Sequence, residues 1–414
     1  MYKEWLKSIL LIVIVASSAI LTYLVWSYEP EFSQIDTSIE GTTNISQGER
    51  VTFEQVMSTY QLVWIQGENN TRGTTDPRAL IGIREHLEGS NVTNMNVYNN
   101  INRLDVRGED TGEEEFLLID YYSGVSSKSL FMILGLAYDS TLPDFEFDRI
   151  VVDMKEGNVV FNLLDENRSR VAVVETDISA DFLQGTVSDY SDTFEAYTPI
   201  ITNQSTSNNM TAIYGPSSPG TMKTERFMIG QINADVLNRI LFLDSPTEST
   251  SVGDDVSIFE DDNHIATYNN DTYEYSYTNL NETTASSDSN HQTMQDIFYF
   301  LNSHNGLAQD HVLFDYDSSE NAATFRSTLN GRVVFSEGLS AAINVKYGEN
   351  AVYEYTRPLI QSNAKVSDEE EVELIDIETV RYQIALHDNF DLQKVSKIIL
   401  GYDMTYADAA TDLQ

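Results

Sequence analysis

The residues best suited to chemistry in this chain are six histidines and 65 acidic residues, and there is no cysteine to serve as nucleophile or thiolate ligand. Zinc sites need nitrogen or sulfur ligands at short, fixed spacings. His86, His264, His291, His304, His311 and His387 are scattered. The nearest two, His304 and His311, straddle Gly306 without the i,i+4 spacing of a helical metal pair. They read as surface histidines or as histidines bonded within the fold. Asp315 to Glu320 (DYDSSE) resembles a calcium loop but lacks the sharp-turn glycine and the helical flanks. Gly215-Pro216-Ser217-Ser218-Pro219 falls one residue short of a nucleophile elbow, and its prolines point to turn chemistry. Phosphate-cradling glycine loops and the H-E-x-x-H zinc motif are absent from the sequence. Carboxylate pairs occur throughout, so no two stand out as acid and base. The expectation is a protein without catalytic site, cofactor or metal.

Charge narrows the partners. The formal net charge is −41. Residues 1–28 hold Lys3, Lys7 and Glu4, so residues 29–414 carry −42. Such a surface repels phosphate backbones and anionic headgroups, which argues against nucleic acid and against lying flat on an acidic membrane. A site for cations or a basic partner fits this charge. So does a solvated surface, and the spread of the acids favours the surface; only Glu113–Glu115 and Asp368–Glu371 form runs.

The elements that must position any of these residues begin with an apolar helix. Ile9 to Trp26 contains no charge, proline or glycine. Extended to Tyr28, it matches a hydrocarbon core of roughly 30 Å at 1.5 Å per residue. Trp5 on one side and Tyr23, Trp26 and Tyr28 on the other suit the two interfacial belts, and Lys3 and Lys7 place the N-terminus in the cytoplasm. A cleaved signal peptide would need a shorter apolar core followed by small residues; here Ala16-Ser17-Ser18-Ala19 lies mid-run. Residues 1–8 are therefore expected to be a cytoplasmic tail, 9–28 a transmembrane helix and 29–49 a polar spacer, with the bulk of the chain outside the cytoplasm. Leu11, Val15, Ser18, Thr22 and Val25 share one face of that helix, and the Ser18/Thr22 pair permits close helix approach with an interhelical hydrogen bond worth about 0.6 kcal/mol.

Beyond the spacer the expected fold class is α+β, a multi-domain region of mostly antiparallel sheet. Three regions are expected: 50–198, 199–305 and a strand-rich 306–414. In the first, Asp76 and Ser179 cap helices, Val125 to Leu136 reads as a buried helix, and the second capped helix turns Phe182, Leu183, Val187 and Tyr190 to one side. Arg149 to Met154, Val159 to Leu164 and Arg170 to Thr176 form a meander. The second holds a helix capped by Asn233 or Asp235, a strand placing Tyr273, Tyr275 and Tyr277 on one face, and an amphipathic helix from Gln292 to Asn302. The third holds hairpins, one at Asn330-Gly331, a helix from Glu378 to Leu386 and a returning strand from Val395 to Met404.

Lys7-Ser8-Ile9-Leu10, Leu21 to Trp26, Tyr28-Glu29-Pro30, Phe147 to Asp153, Tyr197 to Asn203, Leu329-Asn330-Gly331, Val345 to Glu349, Tyr353 to Leu359 and Gly401 to Met404 together resemble the YycH (WalH) family, in order along nearly the whole chain. The resemblance implies a membrane-anchored accessory of the WalK–WalR two-component system of Gram-positive bacteria, which governs cell-wall metabolism. It implies pairing with a YycI-like membrane protein and adjustment of a WalK-like sensor histidine kinase through transmembrane and extracytoplasmic contacts. It also implies a three-part ectodomain. Family members continue to a Trp/Tyr-rich final strand, so the expectation is that residues 306–414 are truncated or close differently. The alternative function is an extracytoplasmic module binding a wall fragment, a cation or a basic peptide.

Overall fold

The computed structural model describes Ile45 and residues 50–405, except 68–69, 88–89, 101–114, 140, 155–156, 166–168, 202–210, 219, 244–246, 253–254, 284–289, 308–309, 367–369 and 387–394. The expected tail and membrane helix lie outside the described residues, as does all of the spacer but Ile45.

The first sheet-rich region is a nine-stranded sheet in the order β3-β7-β6-β5-β4-β1-β2-β8-β9. Its strands are β1 Thr59–Gln66, β2 Thr71–Thr74, β3 Val92–Tyr98, β4 Glu115–Ser126, β5 Glu146–Asp153, β6 Asn158–Asp165, β7 Arg170–Ser179, β8 Glu195–Ile201 and β9 Ile213–Pro216. Every neighbouring pair is antiparallel. The central strands read as unbroken apolar runs (LVWI, FLLI, VVF) because both faces are covered. Leu62, Trp64, Leu117, Ile119, Val152 and Phe161 pack with buried residues of the helices α2 Pro77–Glu85, α3 Ser127–Ile133 and α4 Ala180–Asp189. The alternate residues Val63, Ile65, Phe116, Leu118 and Val151 face Tyr197, Ala212 and Tyr214, so the β8–β9 end folds back over them. Asp76 Oδ1 accepts from Arg78 N at 2.9 Å and Ser179 Oγ from Phe182 N at 3.5 Å, the capping bonds that open α2 and α4. Two expectations need correction. Val125 belongs to β4, and its helix begins only at Ser127, where Ser126 caps it. Phe182 is 52% exposed, because α4 turns Leu183 and Val187 inward and leaves Phe182 over the rim.

The second sheet-rich region has ten strands: β12 Glu248–Val252, β13 Val256–Glu260, β14 His264–Asn269, β15 Glu274–Asn279, β16 His311–Asp317, β17 Ala322–Leu329, β18 Arg332–Phe335, β19 Ala342–Tyr347, β20 Val352–Pro358 and β23 Tyr402–Asp403. Two ribbons stand apart from it, β10 Thr221–Lys223 with β22 Glu371–Glu373 and β11 Arg226–Gln231 with β21 Ile360–Val366. The helices α5 Ala234–Leu241 and α6 Asn290–Ser303 supply Leu237, Leu241, Met294, Ile297 and Leu301 to the core shared with Tyr275, Phe325 and Tyr355. Asn233 caps α5 through Asp235 N at 2.9 Å. A short helix, α1 Phe53–Val56, precedes β1, and α7 Ile377–Leu386 follows β22.

Strands from either side of residue 305 hydrogen-bond within this one sheet: β15 pairs β20, with Ser276 opposite Thr356 and Tyr277 opposite Tyr355. Hydrophobic periodicity marks each strand but not its neighbour, so sequence order suggested a division where the sheet is continuous. Asn330 and Gly331, at φ 50° and 77°, make the expected two-residue turn, both in the left-handed region that such hairpins require. Tyr273 does not share a face with Tyr275 and Tyr277; at φ 55° it lies in the turn before β15. The returning strand expected over Val395 to Met404 is reduced to Tyr402–Asp403, which pairs in parallel with Val334 and Phe335.

Candidate functional site

The described histidines are engaged within the fold. His264 Nδ1 meets Asp261 Oδ1 at 2.9 Å, His291 Nδ1 meets Ser129 Oγ at 2.8 Å, and His86 Nδ1 meets the Gly82 carbonyl at 2.6 Å. His311 pairs with Asp310 at 3.3 Å. His304 is buried, its Nε2 lies 3.3 Å from Tyr355 Oη, and burial pushes its pKa down to about 3, leaving a neutral ring at ordinary pH. His387 lies outside the described residues. The DYDSSE segment is the end of β16 and the turn after it: Asp317 Oδ1 accepts from the Ser319 amide and hydroxyl, while Glu320 pairs with Lys346 at 2.8 Å. Gly215 sits in β9 under Ile200, whose Cδ1 would be 2.7 Å from an added Cβ; close packing explains the glycine. Among the described residues no group of three or more His, Asp or Glu could hold a metal ion.

The conspicuous chemistry lies instead where the two sheet-rich regions meet. Asp120, in the middle of β4, and Arg149, in β5, are both nearly inaccessible to solvent. Arg149 Nε donates to Asp120 Oδ1 at 2.5 Å and Nη2 to Oδ2 at 3.0 Å, a bidentate fork. Gln61 Nε2 donates to Asp120 Oδ2 at 2.7 Å, and Arg149 Nη1 donates to the Ala212 carbonyl at 2.8 Å. That last bond pins the chain just before β9, the edge strand of the first sheet. Beside the pair, Tyr60 and Tyr122 pack with Val312 and Val333 of the second region, and Phe314, Phe335 and Ile399 close around them. Tyr122 Oη donates to the Gly331 carbonyl at 3.4 Å. Burial raises the pKa of Tyr122 to about 12, so its phenol stays a donor. Arg326 lies over the rings of Phe314 and Phe335, 5.2 and 4.7 Å from their centres.

Asp148, next in line on β5, keeps one carboxylate oxygen buried without a hydrogen-bond partner, and burial raises its pKa despite Arg149 and Lys397 nearby. Lys397 reaches into the same joint and donates to the Tyr122 carbonyl.

The side of the chain expected to face the membrane is fastened to the second region. Ile45 N donates to the His304 carbonyl at 3.1 Å, Asn302 Nδ2 to the Val51 carbonyl at 3.0 Å, and Phe53 stacks edge-on against Phe298 at 5.3 Å. Ile45 is thus bonded at the end of α6. The candidate partner-face residues Leu11, Val15, Ser18, Thr22 and Val25 lie outside the described residues.

The sequence reading missed Asp120, Arg149 and Lys397. A signal existed for the first two: each interrupts an apolar strand (FLLIDYY, FDRIVVD), where an unpaired charge would be prohibitive.

These features define a protein of two antiparallel sheet regions that meet across an aromatic joint, with a buried ion pair of the first sheet beside it. Residues 4–193 match the N-terminal domain of the YycH protein and residues 210–413 its C-terminal domain. The chain belongs to the YycH family. Its fold is similar to that in the crystal structure of YycH from Bacillus subtilis, with 14% sequence identity, a TM-score of 0.68, and coverage of 88% of this chain and 95% of that one. No curated protein matches.

Proposed function

We propose that this chain is a membrane-anchored regulatory protein that adjusts a WalK-like sensor histidine kinase, acting with a YycI-like partner and performing no catalysis. Family membership through both halves of the chain carries this reading. Residues 9–28 cross the cell membrane once, with residues 1–8 in the cytoplasm and the sheet-rich regions outside. The helix meets its partners through Leu11, Val15, Ser18, Thr22 and Val25. The signal passes through the membrane helices of the partner proteins. The test is co-purification of the tagged full chain from membranes. Both the kinase and the YycI-like protein are expected to be retained; retention of neither, even after mild cross-linking, overturns the reading.

A cleft of about 440 Å³ favours a second reading, the extracytoplasmic binding module. Asp271, Tyr273, Glu337 and Asp403 line it from three separate segments, a setting suited to a cationic or sugar-bearing ligand. Calorimetric titration with wall fragments, a basic peptide and divalent cations decides it, and absence of heat from all three removes it.

A further inference from the structure

The C-terminal stretch from Val395 to Thr405 crosses the joint between the two sheet regions, yet almost nothing regular holds it. Its pairing with β18 spans two residues, Val334 with Tyr402 and Phe335 with Asp403. Met404 N donates to the Phe335 carbonyl at 2.7 Å, and Asn330 Nδ2 to Tyr402 Oη at 3.2 Å. Gly401 passes so close to β18 that an added Cβ would meet the Phe335 ring at 2.6 Å and the Val333 carbonyl at 2.7 Å. Ile399 contributes to the aromatic cluster.

The strap's one charged fastener is Lys397. Its ammonium donates to the Tyr122 carbonyl at the end of the first sheet and lies 5.8 Å from the centre of the Phe314 ring in the second. Asp148, Asp315 and Asp120 attract it, while burial lowers its pKa. Thus one side chain from the last described segment touches both regions at once. Around it the fully bonded Asp120–Arg149 pair is complete without it, whereas Asp148 keeps an unbonded buried oxygen.

Segments with few ladder bonds and shallow burial open at lower free energy than the sheets they lie on. We infer that residues 395–405 form a releasable latch: Lys397, seated in the joint, restrains the two sheet regions at this edge beside the Tyr60–Tyr122 cluster, and withdrawal of the strap widens their movement against one another there. The latch acts on the relation between the regions and not on the folding of either. It depends on no identified partner, so it stands or falls separately from the kinase reading.

The absence of cysteine makes the test clean. Ser188→Cys on α4 and Glu349→Cys in the turn after β19 place one spin label on an exposed site in each region. Pulsed electron resonance on the full chain in nanodiscs reads the distance between them. A single narrow distribution is expected for the parent. Lys397→Met keeps the side-chain stem and removes the charge; Gly401→Val displaces the strap from β18 while every charged residue of the joint is kept in the sequence. Each is expected to broaden or shift the distribution, with circular dichroism unchanged. Distributions identical to the parent in both variants overturn the latch. Loss of folding in Lys397→Met also overturns it, because the strap would then be part of the core.

Discussion

The two sheet-rich regions are built to different standards of closure. In the first, β6 is buried from Val159 to Asp165 on both faces, and the charges inside it, Asp120 and Arg149, are bonded to each other and to their surroundings. In the second, β14 and β15 bury alternate residues only, β13 buries none fully, and the ribbons beside the sheet leave Met228 61% and Val372 47% exposed. The first region thus behaves as a platform in which any loss of a partner is felt throughout. The second keeps open surface and receives both Ile45, Val51 and Phe53 on its helix α6 and the C-terminal strap.

The largest effect is expected inside the platform. Arg149→Met strands the Asp120 carboxylate and frees the Ala212 carbonyl, at a cost of about 3–5 kcal/mol in denaturant unfolding. A cost below about 1 kcal/mol would mean that the joint is not the platform's keystone. His304 comes next, in the second region. Its folded pKa is depressed to about 3 against an unfolded value near 6.5. The fold binds fewer protons there, so stability is complete above about pH 6.5 and falls as pH drops toward 3, by up to ~1.4 kcal/mol per unit. His304→Gln should flatten the part of the stability–pH slope between pH 6.5 and 5 that the parent shows; an unchanged slope contradicts the buried neutral ring. Asp148 has the opposite sign. Its raised pKa means that the fold prefers the protonated acid, so a penalty present at pH 7 disappears below the ordinary carboxylate range. Asp148→Asn should therefore raise stability at pH 7 by up to ~1 kcal/mol, with the gain vanishing near pH 3. The smallest effect belongs to the open ribbon: Met228→Ser should shift stability by no more than ~0.5 kcal/mol, as thermal melts would show.

Legibility in the sequence follows the same contrast. The meander of β5, β6 and β7 was plain because strands buried on both faces are continuous apolar runs. Caps at Asp76, Ser179 and Asn233 and the Asn330-Gly331 turn were plain because their chemistry is local. Edge strands such as β3 and β12 escaped notice: Thr93, Asn94 and Asn96 or Ser249, Thr250 and Ser251 carry no apolar alternation, and only a neighbouring strand makes them strands. Partnership across residue 305 was invisible for the same reason. Lys397 gave little signal, since a lysine at the start of the apolar run Ile398-Ile399-Leu400 in the expected strand reads as solvent-facing until Tyr122 and Phe314 are brought beside it.

We propose that this YycH family protein regulates a kinase through its membrane helix, with the folded part supplying contacts outside. The direct measurement is kinase-dependent reporter output in cells whose only copy of the chain has residues 9–28 replaced by an unrelated apolar helix of equal length, with residues 29–414 unchanged. Loss of regulation with normal surface abundance is the predicted result. Full regulation after the exchange would contradict the account and leave the extracytoplasmic regions to act alone.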